Sequence, residues 1–494
     1  MVLRRSNLST FNSFLSDTRS ALEGLADSAG DMVTPSVRLG VTGLSRAGKT
    51  VFISALVHNL IKGGRLPLFP AAADGRIGRA YLQPQPDDAV PRFDYETHVR
   101  TLIEKRLWPD STYQVSELRL TIEYESASYL QRKLGRGKLH LDIVDYPGEW
   151  LLDLPLLNQS YREFSAAALE RARKHPKLAG PFLDVLATID PENAEETAEQ
   201  QASSLSEAFK VYLANCREEE NALSMLPPGR FLMPGDMAGS PALTFAPLDL
   251  SGNGSKPRPG TLHAMMERRY DAYKKHVIKP FFQNHFAKLD RQIVLVDTLQ
   301  AINAGSDAVE DLNKALSQIL GAFKPGKASW LFSILSRRID KILFAATKAD
   351  HLHSDDHDRL QGLLRKLVED AITRAEFAGA DVDVLALASV RATRQASVNH
   401  DGETIPALLG TPLPGEFIEE TRFDGEEEAA VFPGDLPDNP EDLLTEGAAE
   451  TEAGLRFIRF RPPKLEKTAE GITLSLPHIR LDRALEFLLG DKLA

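Results

Sequence analysis

Eight residues, Gly43-Leu44-Ser45-Arg46-Ala47-Gly48-Lys49-Thr50, limit what this chain can fold into more than any others. They match Gly-x-x-x-x-Gly-Lys-Ser/Thr, a loop that binds phosphate with bare backbone N–H groups. The two glycines keep side chains out of the way, and Lys49 brings a point charge to the β- and γ-phosphate oxygens. Thr50 offers a hydroxyl to Mg²⁺. The flanks fit the same reading. Val37-Arg38-Leu39-Gly40-Val41-Thr42 alternates as a strand, and from Val51 to Leu60 the apolar residues recur at helical spacing. That helix points its positive end at the anion.

Three further motifs follow in the order of a GTPase. Leu139-His140-Leu141-Asp142-Ile143-Val144-Asp145 is an apolar strand that runs into Tyr146-Pro147-Gly148-Glu149, an Asp-x-x-Gly sequence. Asp145 is expected to hold Mg²⁺ and the Gly148 N–H to sense the γ-phosphate. Ile342-Leu343-Phe344-Ala345-Ala346 leads into Thr347-Lys348-Ala349-Asp350, the guanine-reading pattern with Thr in place of the commoner Asn. A carboxylate at Asp350 accepts from guanine N1–H and the 2-amino group, donors that adenine lacks in that arrangement. The Lys348 stem covers a face of the base. A last strand ends in Ala388-Ser389-Val390-Arg391, a loose form of the loop that meets guanine O6. Thr112 is the expected threonine that closes over the γ-phosphate and Mg²⁺.

The spacing predicts strands at 37–42, 118–124, 139–145, 291–297, 340–346 and 382–388. They form a mostly parallel α/β sheet with 118–124 antiparallel to 139–145. The nucleotide-binding domain is therefore discontinuous, 36–155 and 288–400. Residues 156–287 make an inserted domain, helical at about 156–176, 194–222 and 262–288, with a Gly/Pro/Ser-rich loop over 223–260. Residues 1–35 hold an amphipathic helix over 10–27. Residues 455–494 read as a strand pair (455–461 and 471–476) and a closing helix that pack on the core.

Charge divides the chain unevenly. Net charge is −12, yet residues 416–452 carry 14 acids and one base, Arg422, which leaves 57 bases against 56 acids elsewhere. Residues 401–454 are expected to be an acidic, flexible insertion. No broad basic surface points to nucleic acid. A single cysteine, Cys216, fits a reducing compartment, and no apolar run is long enough to span a bilayer, so the cytoplasm is the expected location. Peripheral membrane contact has nothing in its support. His351, His353 and His357 with Asp355 and Asp356 read as a solvated turn rather than a zinc site.

The phosphate loop, Asp145-Tyr146-Pro147-Gly148-Glu149-Trp150, Arg291-Gln292-Ile293-Val294-Leu295-Val296-Asp297, the run from Arg338 to Asp350 and the run from Leu476 to Leu485 together resemble the YcjX family of bacterial phosphate-loop proteins. The resemblance covers nearly the whole chain. It implies a Ras-like GTPase domain with a large helical insertion, binding of GTP and GDP, and a link to bacterial stress responses.

For catalysis the expected residues are Lys49, Arg46 within the loop, and Glu149, which stands where many Ras-like proteins have the glutamine that orients water. Arg76, Arg79 and Arg391 are weaker candidates for an arginine that meets the phosphates. The expected function is a guanine-nucleotide switch that hydrolyses GTP slowly with Mg²⁺ and reports its state to a protein effector through the helical insertion. An ATP-hydrolysing machine or kinase, and a nucleotide-binding regulator without turnover, stay open at this point.

Overall fold

The computed structural model describes residues 34–44, 46–110, 114–128, 136–192, 195–218, 220–250, 257–321, 339–400, 403–418, 420–443, 455–465 and 475–494. The helix expected over 10–27 lies outside them, as do Ser45 and Thr112. Seven strands make the central sheet: β1 (Ser36–Gly43), β2 (Ile77–Gln83), β3 (Ser116–Tyr124), β4 (Gly137–Asp145), β5 (Arg291–Val296), β6 (Lys341–Ala346) and β7 (Asp381–Ala386). Their order is β2-β3-β4-β1-β5-β6-β7. Strands β4, β1, β5, β6 and β7 run parallel, and β3 is antiparallel to β4 with Leu120 opposite Leu141. All six expected strands are present. The seventh, β2, adds to the edge antiparallel to β3. Its short Ile-Gly-Arg-Ala-Tyr run is only partly buried, so it carries little apolar signal.

The parallel strands are apolar on both faces, and the pleat sorts their residues into two cores. Ile293, Leu295, Leu343, Ala345 and Leu385 face one core, which the helix Lys49–Lys62 and the closing helix Leu481–Leu489 cover. Val294, Val296, Phe344, Ala346 and Val384 face the other, which holds the inserted helices and the helices Ser306–Gly321 and His357–Leu367.

Between β4 and β5 the insertion forms helices Tyr161–Lys174, Pro176–Ala187, Glu195–Arg217 and Leu262–Tyr273. Ser160 and Glu163 cap the first reciprocally, which fixes its start at Tyr161. The helix expected over 262–288 is not continuous. A π-helical turn at Lys274–Ile278 precedes Lys279–Asn284. Pro280 lacks the N–H that a regular helix would use there, so the ladder shifts. Residues 223–250 are mostly irregular, as expected, apart from a short helix at Gly229–Leu232, yet they are packed. Met225, Leu226, Phe231, Phe245 and Leu248 are buried, and the rings of Phe231 and Phe245 lie 4.9 Å apart.

The acidic stretch differs from its expectation. Strands β8 (Arg394–His400), β9 (Glu403–Gly410), β10 (Phe417–Ile418), β11 (Thr421–Arg422) and β12 (Ala429–Val431) build a small lobe in which β12, β9 and β8 pair in that order. Val431 packs with Ala392, Ile458 and Phe460. The acids that suggested a mobile segment meet arginines instead: Glu428 with Arg394 at 3.0 Å, Glu426 with Arg461 at 3.4 Å, and Glu416 with Arg459 at 2.5 Å. Residues 444–454 lie outside the described part. Residues 455–461 were expected to pair with 471–476. Their described partner is 411–413, where Leu413 N donates to Arg459 O at 2.8 Å and Arg461 N to Thr411 O at 2.8 Å. Residues 471–474 are outside the described part.

Candidate functional site

The parallel register brings the C-terminal ends of β1, β4, β5, β6 and β7 to one edge of the sheet, where ligands of open α/β sheets bind. Gly43 sits opposite Leu295, and a Cβ at Gly43 would lie 2.7 Å from the Leu295 carbonyl oxygen. Only glycine fits that approach. Beyond it the backbone alternates, with Arg46 at φ 59° and Gly48 at φ 82°, before the helix begins at Lys49. This alternation turns successive N–H groups toward one concavity. Lys49 is buried, and its Nζ donates to the Gly43 carbonyl at 3.0 Å. Thr50 donates to the carbonyl of Asp110 at 3.4 Å, so the segment Trp108-Pro109-Asp110 reaches the loop.

Asp145 pairs in register with Val41 and is buried at the foot of the loop. Gly148 packs directly on the loop, since a Cβ there would lie 2.3 Å from Gly43 O. Glu149, the next residue, is buried against the inserted domain. Its buried carboxylate approaches Arg217, the last residue of the helix Glu195–Arg217, at 3.0 Å. The contact is charge against charge, without hydrogen-bond alignment. A Cβ at Gly229 would lie 2.0 Å from Glu149 O, so the insertion presses on the same residue from a second side. Trp150 donates to Met233 O at 3.0 Å and meets Phe281 edge-on at 5.1 Å.

At the Thr-Lys-x-Asp turn, Thr347 N donates to Val296 O at 2.9 Å. Lys348 adopts φ 60° and pairs with Asp297, the residue after β5. Asp350 is buried and accepts from Ala392 N at 2.7 Å, while Thr393 Oγ1 donates to its carbonyl. Burial pushes the Asp350 carboxyl up to about 6, against the pull of the Ala392 N–H. His351 is held down to about 3 by burial and by the nearby cations Lys348 and Arg459. Among the described residues, no group of three or more His, Cys, Asp or Glu is placed to hold a metal ion.

One cavity of about 510 Å³ joins these parts. The loop lines it with Arg46, Ala47, Gly48, Lys49, Thr50 and Val51. The Thr-Lys-x-Asp turn adds Thr347, Lys348 and Asp350, and the last loop adds Ala388, Ser389 and Val390. Arg391 is turned aside, donating from Nε to Thr393 O at 2.9 Å and from N to Pro477 O at 2.7 Å. Arg79 is spent on Glu123 at 2.7 Å and Arg76 on the Glu125 carbonyl at 3.1 Å. Arg46 stands at the crest of the loop. Partial desolvation lowers its pKa, Glu218 opposes this, and Arg217 and Arg459 add to it.

Sequence reasoning missed part of the wall. Trp108, Pro109, Asp110 and His351 line the cavity, and so do Leu413, Arg459 and Phe460 from the C-terminal lobe. It also missed the brace behind the last loop. Ala388 and Ile479 exchange backbone hydrogen bonds at 3.1 and 2.8 Å, and Asn59 grips Leu476 through both its amide atoms. The only local signal was the extended run Leu476-Pro477-His478-Ile479 ahead of the closing helix.

A phosphate loop that opens a helix, an Asp-x-x-Gly packed on it and a Thr-Lys-x-Asp turn facing the same cavity define a phosphate-loop nucleoside-triphosphatase fold with the motif order of Ras-like GTPases. The chain belongs to the YcjX-like family, DUF463, whose model matches residues 37–493. It is 40% identical over 475 residues to a protein of Escherichia coli strain K12 named Ras-like GTPase YcjX, covering 92% of this chain and 96% of that one. A protein of the same name from Shewanella oneidensis is 35% identical over 483 residues, covering 92% of this chain and 94% of the relative.

Proposed function

We propose that this chain is a cytoplasmic guanine-nucleotide switch that binds GTP and GDP and hydrolyses GTP slowly. The observation that carries the reading is the buried Asp350, held at the cavity that the phosphate loop also lines. A carboxylate fixed there accepts two hydrogen bonds from guanine and is left unpaired by adenine. The names of the two relatives support the same nucleotide. The cytoplasm is where a GTP-binding protein meets its nucleotide pool.

Thr50 and Asp145 are hard oxygen ligands of the kind Mg²⁺ prefers, and both lie where β1 and β4 deliver the loop. When bound, the ion neutralises charge on the phosphates. Lys49 and the loop N–H groups hold the β- and γ-phosphates, Gly148 senses the γ-phosphate, and Lys348 covers the base. Glu149 has two tasks in this account: it positions the attacking water, and it ties the switch to Arg217. The insertion therefore reports nucleotide state to an effector protein, in the stress role the family resemblance implies.

Calorimetric titration with GDP, GTP, ADP and ATP in Mg²⁺ tests the reading. Tight guanine binding with no measurable adenine binding is expected. Equal or stronger adenine binding would move the protein to the ATP-driven class.

A further inference from the structure

The C-terminal lobe does more than cover the sheet edge. We propose that it completes the nucleotide site, and that Arg459 is a nucleotide-binding residue that places a cation on the phosphate chain. The inference rests on the guanine-nucleotide reading above.

Three observations carry it. First, the backbone that presents Arg459 is fixed from two sides. Leu413 N donates to Arg459 O at 2.8 Å, and the Trp108 indole donates to Phe460 O at 2.7 Å. Arg106 adds a bond from Nε to Pro462 O at 3.1 Å. Trp108 belongs to the segment that reaches Thr50, so the lobe and the phosphate loop are joined through a few residues. Second, the side chain faces the cavity. Arg459 lines it beside Phe460, whose ring packs on His351 with centroids 5.5 Å apart. Its charge is felt at both ends, by His351 near the base-reading turn and by Arg46 on the phosphate loop. Third, the wall presents cations from both sides. Arg46 and Lys49 line it from the loop and Lys348 and Arg459 from the opposite side, the last two paired with Asp297 and Glu416, alongside the carboxylates Asp110 and Asp350.

Arg459 holds a partner that it can exchange. Its Nε meets Glu416 at 2.5 Å, with 40% of the arginine side chain exposed. A guanidinium prefers phosphate oxygens in bidentate geometry, so a bound phosphate chain competes with the Glu416 carboxylate for it. The lobe thereby becomes sensitive to whether nucleotide is present.

Release of a fluorescent GDP derivative from the full chain tests this. Arg459→Ala is expected to speed release about three- to tenfold, the loss of one charge-assisted contact at a half-exposed site. Arg459→Lys keeps the charge without the fork and is expected to recover part of the loss. Glu416→Gln breaks the same ion pair but leaves the cation, and is expected not to speed release. Release from Arg459→Ala at the wild-type rate overturns the proposal. So does equal acceleration by Glu416→Gln, because the ion pair and not the cation would then matter. If the wild-type chain holds no GDP, this proposal falls together with the guanine reading. If it holds GDP and Arg459→Ala does not differ from it, only this proposal falls.

Discussion

In the proposed switch, Asp350 links burial, charge and selectivity in one residue. Burial raises its carboxyl to about 6, while guanine needs the ionised form as acceptor. The affinity of the protein for GDP is therefore expected to fall about tenfold per pH unit below 6, the signature of one proton taken up on losing the ligand. Stability of the free protein moves the other way. A carboxyl whose folded pKa lies above its unfolded value favours the fold fully below the unfolded value, and that contribution is lost as pH rises through about 6. Calorimetry of wild type and Asp350→Ala across pH 5 to 8 on the order of one unit apart separates the two effects. A wild-type profile as flat as that of the variant would show that Asp350 does not carry the base contact. The types and order of such residues were legible in the sequence, because phosphate and guanine dictate them. The place of Arg459 was not, because local pattern says nothing about which distant segment meets the cavity.

At the scale of elements, the contact between the Asp-x-x-Gly segment and the helix Glu195–Arg217 makes the inserted domain a candidate reporter. Glu149 and Arg217 meet at 3.0 Å, with 6% and 21% of their side chains exposed. Arg217→Ala leaves a buried carboxylate without its cation and is expected to cost about 1–3 kcal/mol of stability, discounted for the exposed part of the arginine. Denaturant unfolding measures it. Glu149→Ala is expected to slow single-turnover GTP hydrolysis by about tenfold or more. An unchanged rate would leave Glu149 only the structural task of holding Arg217. Helical period revealed the long inserted helices in the sequence. It could not reveal β2, which is short and half exposed, or the packed irregular chain over 223–250, whose apolar residues follow no period.

Across the whole molecule, the end of the sheet far from the cavity is fastened by one arginine. Arg291 is fully buried at the start of β5 and meets Asp340, before β6, at 3.1 Å and Asp491, after the closing helix, at 2.6 Å. The arginine block that marks the family resemblance is thus a clasp for the C-terminus. Arg291→Ala is expected to destabilise the chain by about 2–3 kcal/mol, both acids being partly exposed, while leaving GDP affinity within about twofold, since coupling between distant sites is small. A large loss of affinity in a folded variant would contradict that separation. The acidic composition of 401–454 misled because charge count is a property of a segment, whereas order depends on partners elsewhere: Arg394, Arg459 and Arg461 supply them. The proposed switch depends on the selection of guanine by Asp350. The most direct test is competitive binding of GDP, XDP and ADP to wild type and Asp350→Asn. The account predicts that the wild type prefers GDP and that the amide, which donates where the carboxylate accepted, transfers the preference to XDP. An Asp350→Asn protein that still prefers GDP, with wild-type affinity, would contradict it.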